Sequence, residues 1–229
     1  MSPPALIAVA HGTRDPAGAA AVRQLLDTVG RLRPGSRVEV GHLDLLRPSL
    51  YDVLARRRDD VVLVPLLLGA GYHVHTDIPA VVAAAGCRTA RVSAALGPDP
   101  LLATVLSDRL TEAGWSGARE DGAVVLAAAG STDQGANADT LRMARLLQTR
   151  LGCPVTAGYL CAASPTPAEA VAALRARGHR EVAVARYLLA PGFFAQRASA
   201  SGACLTSPPL GAHEAVARLV LRRYDEVLG

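Results

Sequence analysis

Two histidines, each following an apolar run, are the residues of this chain best suited to chemistry. His11 comes directly after residues 6–10, and His73 follows residues 61–68 across a glycine-bearing turn. A carboxylate, Asp44, lies at the end of the apolar run between them. Two imidazoles and one carboxylate make an open site for a divalent first-row metal, with coordination positions left for water or a second ligand. Neutral imidazole also accepts protons efficiently near pH 7.

The segment that carries His11 occurs twice in the chain, and the second copy lacks the histidine. Residues 10–16 read AHGTRDP after the first apolar run, and residues 128–133 read AAGSTD after a matching run. Ala129 therefore stands in the position of His11. Corresponding points of the two halves lie 114 to 121 residues apart and keep the same order, which indicates an internal duplication.

The other two candidate ligands are also replaced in the second copy. Cys161 stands in the position of Asp44, and Phe194 in the position of His73. All three positions change together, and two of the replacements cannot bind a metal. We therefore expect a single active site, located in the first half of the chain.

Alternating strand and helix patterns must position these side chains. Continuous short apolar runs predict buried strands, and three-and-four apolar spacing between them predicts amphipathic helices. In a parallel sheet, ligands bind where loops converge beyond the carboxyl ends of the strands, which is where all three candidates fall. The strands are predicted at residues 6–10, 38–43, 61–68, 90–96, 124–128, 155–160 and 182–189, and the helices after 15, at 49–57, 76–86, 101–110 and 136–151, after 166 and at the end of the chain.

This order predicts an α/β fold made of two homologous domains, each a parallel sheet with helices on both faces. We expect a catalytic, metal-binding domain at residues 1–117 and a degenerate repeat at residues 123–229. The polar, glycine-bearing segment 114–122 is the predicted linker.

Composition excludes several classes of function. All 24 basic residues are Arg, because the chain contains no Lys. A P-loop, a pyridoxal Schiff base and a protein-kinase strand each require a lysine, so the chain has none of them. The net charge of +4 is mild, and the arginines are interspersed with acids and not with aromatics. Nucleic-acid binding is therefore not expected.

The chain also shows no pattern typical of membrane or secreted proteins. The longest apolar stretch, residues 61–70, is interrupted by Pro65 and too short to span a bilayer, and residues 1–10 lack the basic start of a signal peptide. We expect a cytoplasmic protein without a membrane partner. Four cysteines without CxxC spacing are expected to be reduced thiols: Cys87, Cys153, Cys161 and Cys204.

Structural roles compete with the functional ones. An aspartate in the position of Asp44, taken alone, is more often a helix cap or an ion-pair partner, here of Arg47, than a metal ligand. His73 and His75 are two residues apart, so an extended segment would place both on one side and allow chelation, whereas the helix start nearby opposes that arrangement. We assign His75 no ligand role. Three further histidines are expected to be structural or simply exposed: His42, His179 and His213.

Taken together, the motifs resemble the sirohydrochlorin chelatase family, the ATP-independent class II tetrapyrrole chelatases, in its long two-domain form. The resemblance is carried by AHGTRD at residues 10–15, by Leu43 and Asp44 before a Pro-Ser pair, and by GYHV at 71–74 followed by TDIP at 76–79. It implies a chelatase-like fold. The family commonly has glutamate where Asp44 stands, and usually serine where Thr13 stands.

The resemblance also implies an activity and assigns the site. It implies a lyase that inserts Co²⁺ or Fe²⁺ into sirohydrochlorin without ATP, for siroheme or cobalamin synthesis, so the metal is a substrate and no nucleotide cofactor is expected. His11 and His73 would be the catalytic and metal-binding pair, with either one the general base, and Asp44 would assist. Arg14 and Arg47 would bind the carboxylates of the tetrapyrrole. Such ligands accept Co²⁺, Fe²⁺, Ni²⁺ and Zn²⁺ alike.

Three other functions compete with this interpretation. A histidine phosphatase would need arginine directly before its histidine, where this chain has Ala10. A protoporphyrin ferrochelatase shares the fold but generally has a longer chain and different motifs. A non-catalytic metal or tetrapyrrole carrier would use the same ligands without turnover. Because a fused duplicate supplies both halves from one chain, we expect a monomer.

Overall fold

The computed structural model describes residues 3–116 and 121–229 and divides into two compact units. The first unit contains Met1–Leu96 and Ala212–Gly229, and the second contains Gly97–Gly211. The strands are β1 (Ala5–Ala10), β2 (Val38–His42), β3 (Val61–Pro65), β4 (Ala90–Val92), β5 (Gly122–Ala128), β6 (Val155–Tyr159), β7 (Glu181–Tyr187) and β8 (Leu205–Thr206). The α-helices are α1 (Pro16–Leu32), α2 (Leu50–Ala55), α3 (Ile78–Ala84), α4 (Pro100–Glu112), α5 (Gln134–Leu151), α6 (Pro167–Ala176), α7 (Phe193–Ser199) and α8 (Glu214–Glu226), and a π-helical turn, His73–Asp77, precedes α3.

Each unit is built on a four-stranded parallel sheet, as the sequence predicts. The strand order is β2-β1-β3-β4 in the first unit and β6-β5-β7-β8 in the second. In the first sheet Val9 pairs with Gly41 on one side and with Pro65 on the other, so the three strand ends lie side by side. The predicted fold class is confirmed.

Helices cover both faces of the first sheet. Ala5, Ile7 and Val9 of β1 point to one face and pack with residues of α2 and α3 in a single apolar cluster. Leu6 and Ala8 point to the other face and are equally buried. On that side α1 and α8 contact each other and the strands. A fully buried central strand explains why its sequence is continuously apolar.

The C-terminal helix belongs to the first unit although it lies at the end of the second repeat. Arg223 of α8 donates from Nε to the carbonyl of Ala95 at 2.9 Å, and the Tyr224 hydroxyl donates to the carbonyl of Pro4 at 2.7 Å. Arg33 of α1 forms an ion pair with Asp225 at 2.5 Å. These bonds, together with the buried apolar face of α8, attach it firmly to the first sheet.

The opposite assignment holds for α4, which follows the first sheet in sequence but belongs to the second unit. Arg109 of α4 donates to the carbonyl of Leu210 at 2.8 Å, and α4 packs against α5 and β7. The compact units therefore differ from the two repeats, and the division at residues 117 and 123 stays a prediction about the repeats. Part of the predicted linker, residues 117–120, lies outside the described residues.

Several local predictions differ from the structure. The strands predicted at residues 61–68 and 90–96 end at Pro65 and Val92, and the two-residue strand β8 is not predicted. The helix expected to begin at residue 76 begins as a π-helical turn at His73, three residues earlier. Helix α7 is not predicted by the sequence pattern, since it is short and buries only two alanines, Ala195 and Ala198. Among the described residues, no helix combines the length and the apolar character needed to cross a membrane.

Candidate active site

The loop after β1 presents His11 and depends on the glycine that follows it. Gly12 has φ +103°, and a Cβ placed there would lie 1.9 Å from the carbonyl oxygen of Asp44. The loop that carries His11 lies this close to the turn that carries Asp44 because the Asp44 N–H donates to the His11 carbonyl at 2.9 Å. Asp15 then caps α1 by accepting from the Ala17 N–H. Position 12, next to His11, therefore has no room for a side chain.

The turn after β2 carries Asp44 in a constrained conformation. Leu45 has φ +64°, a left-handed value that is uncommon for a residue other than glycine. In this conformation its N–H donates to Oδ1 of Asp44 at 2.7 Å, which fixes one carboxylate oxygen. Asp44 remains exposed. The other oxygen, Oδ2, is the one suited to approach a metal or a proton donor.

The segment after β3 brings the second histidine beside the first. The ring centroids of His11 and His73 are 4.8 Å apart, with the ring planes inclined at 41°. His73 lies in the π-helical turn, and its Nδ1 is 2.5 Å from Oδ2 of Asp77. Tyr72, which is largely exposed, lies edge-on to the His73 ring at 6.3 Å.

The surroundings of His11 favour its neutral form. Removal of part of the ring from water, followed by repulsion from His73, lowers the pKa of His11 below its usual value. The Asp44 and Asp77 carboxylates oppose this shift and raise the pKa, so both lie near enough to act on His11. His11 is nevertheless open to solvent at the surface of the unit. A neutral, accessible imidazole can bind a metal or accept a proton.

The structure brings His11 and His73 together and places Asp44 at their edge. Within residues 3–116 and 121–229, no three His, Cys, Asp or Glu side chains are gathered closely enough to hold a metal ion. The predicted set of three metal ligands is therefore not preassembled. His75 is exposed, and because its segment is helical and not extended, it does not face the same side as His73.

The two candidate substrate-binding arginines are both exposed. Arg47 forms an ion pair with Asp52 at 2.6 Å, and Asp52 also completes a capping box with Ser49 at the start of α2. The Ser49 hydroxyl and the Arg47 guanidinium hold the pKa of the Asp52 carboxyl below its usual value. Arg14 follows the His11 loop and, among the described residues, has no carboxylate within ion-pair distance. Arg14 is thus the arginine whose charge is less compensated.

The second unit keeps the backbone of this site without its side chains. The Cys161 N–H donates to the Ala129 carbonyl at 2.8 Å, which is the bond made by Asp44 and His11 in the first unit. A Cβ at Gly130 would lie 2.0 Å from the Cys161 carbonyl oxygen, and Ala162 repeats the left-handed turn of Leu45 with φ +56°. The positional equivalences inferred from sequence therefore describe the same backbone positions.

In the second unit, the positions equivalent to the candidate site are occupied by hydrogen bonds within the loop and by apolar packing. The Asn137 side chain accepts from the Ser131 N–H at 3.1 Å and donates to the Ser131 carbonyl at 2.7 Å, which ties down the loop. The Cys161 thiol donates to the Ala129 carbonyl at 3.1 Å. Phe194 packs against the core cluster of its unit. No imidazole or carboxylate replaces the lost ligands at these three positions.

One residue of the site was missed from the sequence. The sequence Thr-Asp-Ile-Pro at residues 76–79 predicts Asp77 as a helix cap, but its side chain makes no capping bond and contacts His73 instead. The signal was present, because residues four apart on a helix lie on one face. The same four residues are also typical of a helix start, so this spacing alone does not distinguish a cap from a partner of His73.

Comparisons with known proteins agree on one family. The model of the CbiX family matches residues 5–113 and again residues 123–227. The sirohydrochlorin cobaltochelatase of Priestia megaterium is 27% identical over 82% of this chain and 65% of its own length, so the match spans slightly less than two thirds of that protein. The sirohydrochlorin ferrochelatase of the same organism is 27% identical over 82% of this chain and 74% of its own length.

A solved structure matches the fold over nearly the whole chain. SirB from Bacillus subtilis with Fe³⁺ superposes with a TM-score of 0.78 at 24% identity, covering 97% of this chain and 94% of that one. At this identity the likeness concerns the fold. Family and fold both agree with the resemblance drawn from the motifs.

Proposed function

The chain belongs to the CbiX family, and we propose from this and from its site that it inserts a divalent metal, Co²⁺ or Fe²⁺, into sirohydrochlorin. Two of its relatives are named for this reaction, one with each metal. The observation that supports the proposal most is the pair of imidazoles, His11 and His73, held 4.8 Å apart at the ends of neighbouring strands. The metal is a substrate, and the reaction as proposed uses no nucleotide.

The histidine pair suits the two demands of metal insertion. The ion must lose bound water as it enters the macrocycle, and two pyrrole N–H groups must lose their protons. The lowered pKa of His11 keeps this imidazole neutral near pH 7, so that its lone pair is available to the ion or to a pyrrole proton. Asp44 lies beside the pair with one oxygen fixed, which suits it to relay a proton or bind the ion transiently.

The arginines supply charge for a polycarboxylate substrate. We infer that Arg14 binds a substrate carboxylate directly, since no described carboxylate pairs with it. Arg47 would first have to leave Asp52 or bind the substrate with the guanidinium nitrogens that Asp52 leaves unused. Arg14 is therefore expected to contribute more than Arg47. The expected monomeric state and cytoplasmic location stay predictions.

A metal carrier is the competing function, and the geometry favours it less. A carrier holds its ion through a closed set of three or four ligands, which retain the metal. Here only two imidazoles are close together, and the carboxylates at their edge are not gathered with them among the described residues. An open pair of this kind suits an ion that must pass on to another ligand.

The decisive experiment is anaerobic metal insertion. The purified protein is mixed with sirohydrochlorin and Co²⁺ or Fe²⁺, and the absorption spectrum of the tetrapyrrole is followed against a protein-free sample. We expect a clear acceleration. A rate equal to the protein-free rate would reject the chelatase and leave the carrier.

Histidine variants test the site separately from the activity. His11→Ala and His73→Ala are each expected to reduce the insertion rate by about 100-fold or more, the size typical of losing a general base. His75→Ala is the matched control, because this histidine is exposed and faces away from the pair; its rate should be unchanged. Full activity in both His11→Ala and His73→Ala would reject the site assignment.

A further inference from the structure

The carboxylate of Asp77 contacts the site without being one of the ligands predicted from the sequence. Its Oδ2 lies 2.5 Å from Nδ1 of His73, and both side chains are partly shielded, with 34% and 43% of their surfaces exposed. An ionised carboxylate has only acceptors, so this hydrogen bond requires a proton on Nδ1 of His73. In neutral His73 the lone pair then lies on Nε2.

The backbone of this segment is also unusual in a way that serves the contact. Residues His73–Asp77 form a π-helical turn, closed by the Ile78 N–H donating to the His73 carbonyl. Single π-helical turns are rare and are frequently found at functional sites. This turn presents the Asp77 side chain to His73, and the same side chain makes no capping bond to α3. Asp77 therefore does not serve as the cap of α3.

The second unit lacks every part of this arrangement. Phe194 stands in the position of His73, and Ala198, four residues later, in the position of Asp77. Ala198 is fully buried in the core cluster. The segment there is the regular α-helix α7. The aspartate and the π-helical turn are thus absent from the copy that has lost the histidine.

From the contact, the turn and their joint absence in the second unit, we propose that Asp77 is a positioning residue. It fixes His73 in the tautomer that carries its proton on Nδ1, and thereby holds Nε2 toward the metal or the pyrrole proton. Carboxylates that hold metal-binding histidines in this way raise metal affinity and activity by roughly 10- to 100-fold. The inference deepens the proposed function, because it assumes that His73 handles the metal or the proton.

The tautomer can be measured without metal or substrate. Long-range ¹H–¹⁵N NMR on the metal-free protein distinguishes a protonated from an unprotonated ring nitrogen, and it is recorded at a pH where the same spectra show one unprotonated nitrogen on the His73 ring. We expect His73 to be a single tautomer protonated at Nδ1. In Asp77→Asn the amide can donate to Nδ1 as well as accept from it, so we expect signals from both tautomers. A wild-type His73 that is protonated at Nε2, or is already mixed, would overturn the proposal.

Co²⁺ titration measures the consequence for affinity. Asp77→Ala is expected to raise the Kd for Co²⁺ by roughly 10- to 100-fold, and Asp77→Asn by less, because the amide oxygen can still accept from Nδ1. The matched control is Asp59→Asn, which removes a carboxylate paired with Arg37 and Arg57 in the same unit and should leave the Kd unchanged. Equal Kd values in the wild type and both Asp77 variants would reject the positioning role.

These outcomes are separable from a failure of the proposed function. If His73 is a single Nδ1-protonated tautomer and Asp77 governs Co²⁺ affinity, but the wild type does not accelerate insertion, the chelatase is rejected and the positioning role stands. If the wild type accelerates insertion while the Asp77 variants match it in tautomer and affinity, only the positioning role is rejected.

Discussion

Replacement of Gly12 by alanine tests whether the active-site backbone is as tight as the structure indicates. The new Cβ would lie 1.9 Å from the Asp44 carbonyl oxygen, far inside any tolerated contact, and φ is +103°. The loop that carries His11 must therefore move by roughly 1 Å away from Asp44, and a misplacement of about this size costs catalysis on the order of 100-fold.

The second unit supplies a matched control for this variant. Gly130→Ala meets the Cys161 carbonyl oxygen at 2.0 Å with φ +86°, so it carries nearly the same strain in a loop without ligands. From the backbone dihedral alone, each variant should lose about 1–3 kcal/mol of stability. For a chain of this size that lowers Tm by roughly 3 to 10 °C.

The assay combines thermal unfolding with the rate of Co²⁺ insertion, measured at a temperature where both variants are folded. We expect similar losses of Tm in Gly12→Ala and Gly130→Ala, but loss of activity in Gly12→Ala alone. Wild-type activity in Gly12→Ala would show that the loop is less constrained than the structure indicates. Equal loss of activity in both would show that destabilisation, and not displacement of His11, is responsible.

Three further predictions follow from the fold and the substrate charges. A chain ending at Gly211 lacks α8 and should lose hydrogen-exchange protection in β1 and β3 but keep it in β5 and β7, and equal protection of β1 with and without α8 would contradict this. Arg14→Gln should raise KM for sirohydrochlorin several-fold with little change in kcat, and more than Arg47→Gln does; the reverse order in steady-state kinetics would show that Asp52 does not compete for Arg47. Phe194→Ala should destabilise the protein by about 1–3 kcal/mol in denaturant unfolding without reducing the insertion rate at saturating substrate, whereas a large loss of rate would give this position a role in the chemistry.

The sequence predicts the sheets and the histidine pair well because both depend on short-range rules. A strand buried on both faces must be continuously apolar, which makes β1, β3 and β5 visible in the sequence, and β7 is visible through its buried apolar stretch at residues 182–185. The carboxyl ends of adjacent parallel strands share one edge, which is why His11 and His73 are expected to meet and do.

The features that the sequence does not predict are those whose local sequence is compatible with more than one structure. An aspartate two residues before a proline suits a helix cap as well as it suits a contact one turn back, so the sequence does not reveal that Asp77 contacts His73. An amphipathic helix can cover any apolar sheet face, so nothing in α4 or α8 states which sheet each covers. The position of Asp44 relative to the histidines depends on the left-handed turn at Leu45, and a leucine gives no sign of such a turn.

Helix α4 belongs to the second unit and helix α8 to the first, and this arrangement determines what a deletion in the chain would remove. The second repeat has lost its ligands, yet it encodes α8, whose buried apolar face and ion pair with α1 complete the unit that holds both histidines. A deletion of the whole second repeat would therefore also remove a helix of the unit that holds both histidines. The unit that holds both histidines thus depends on a helix that comes from the end of the other repeat.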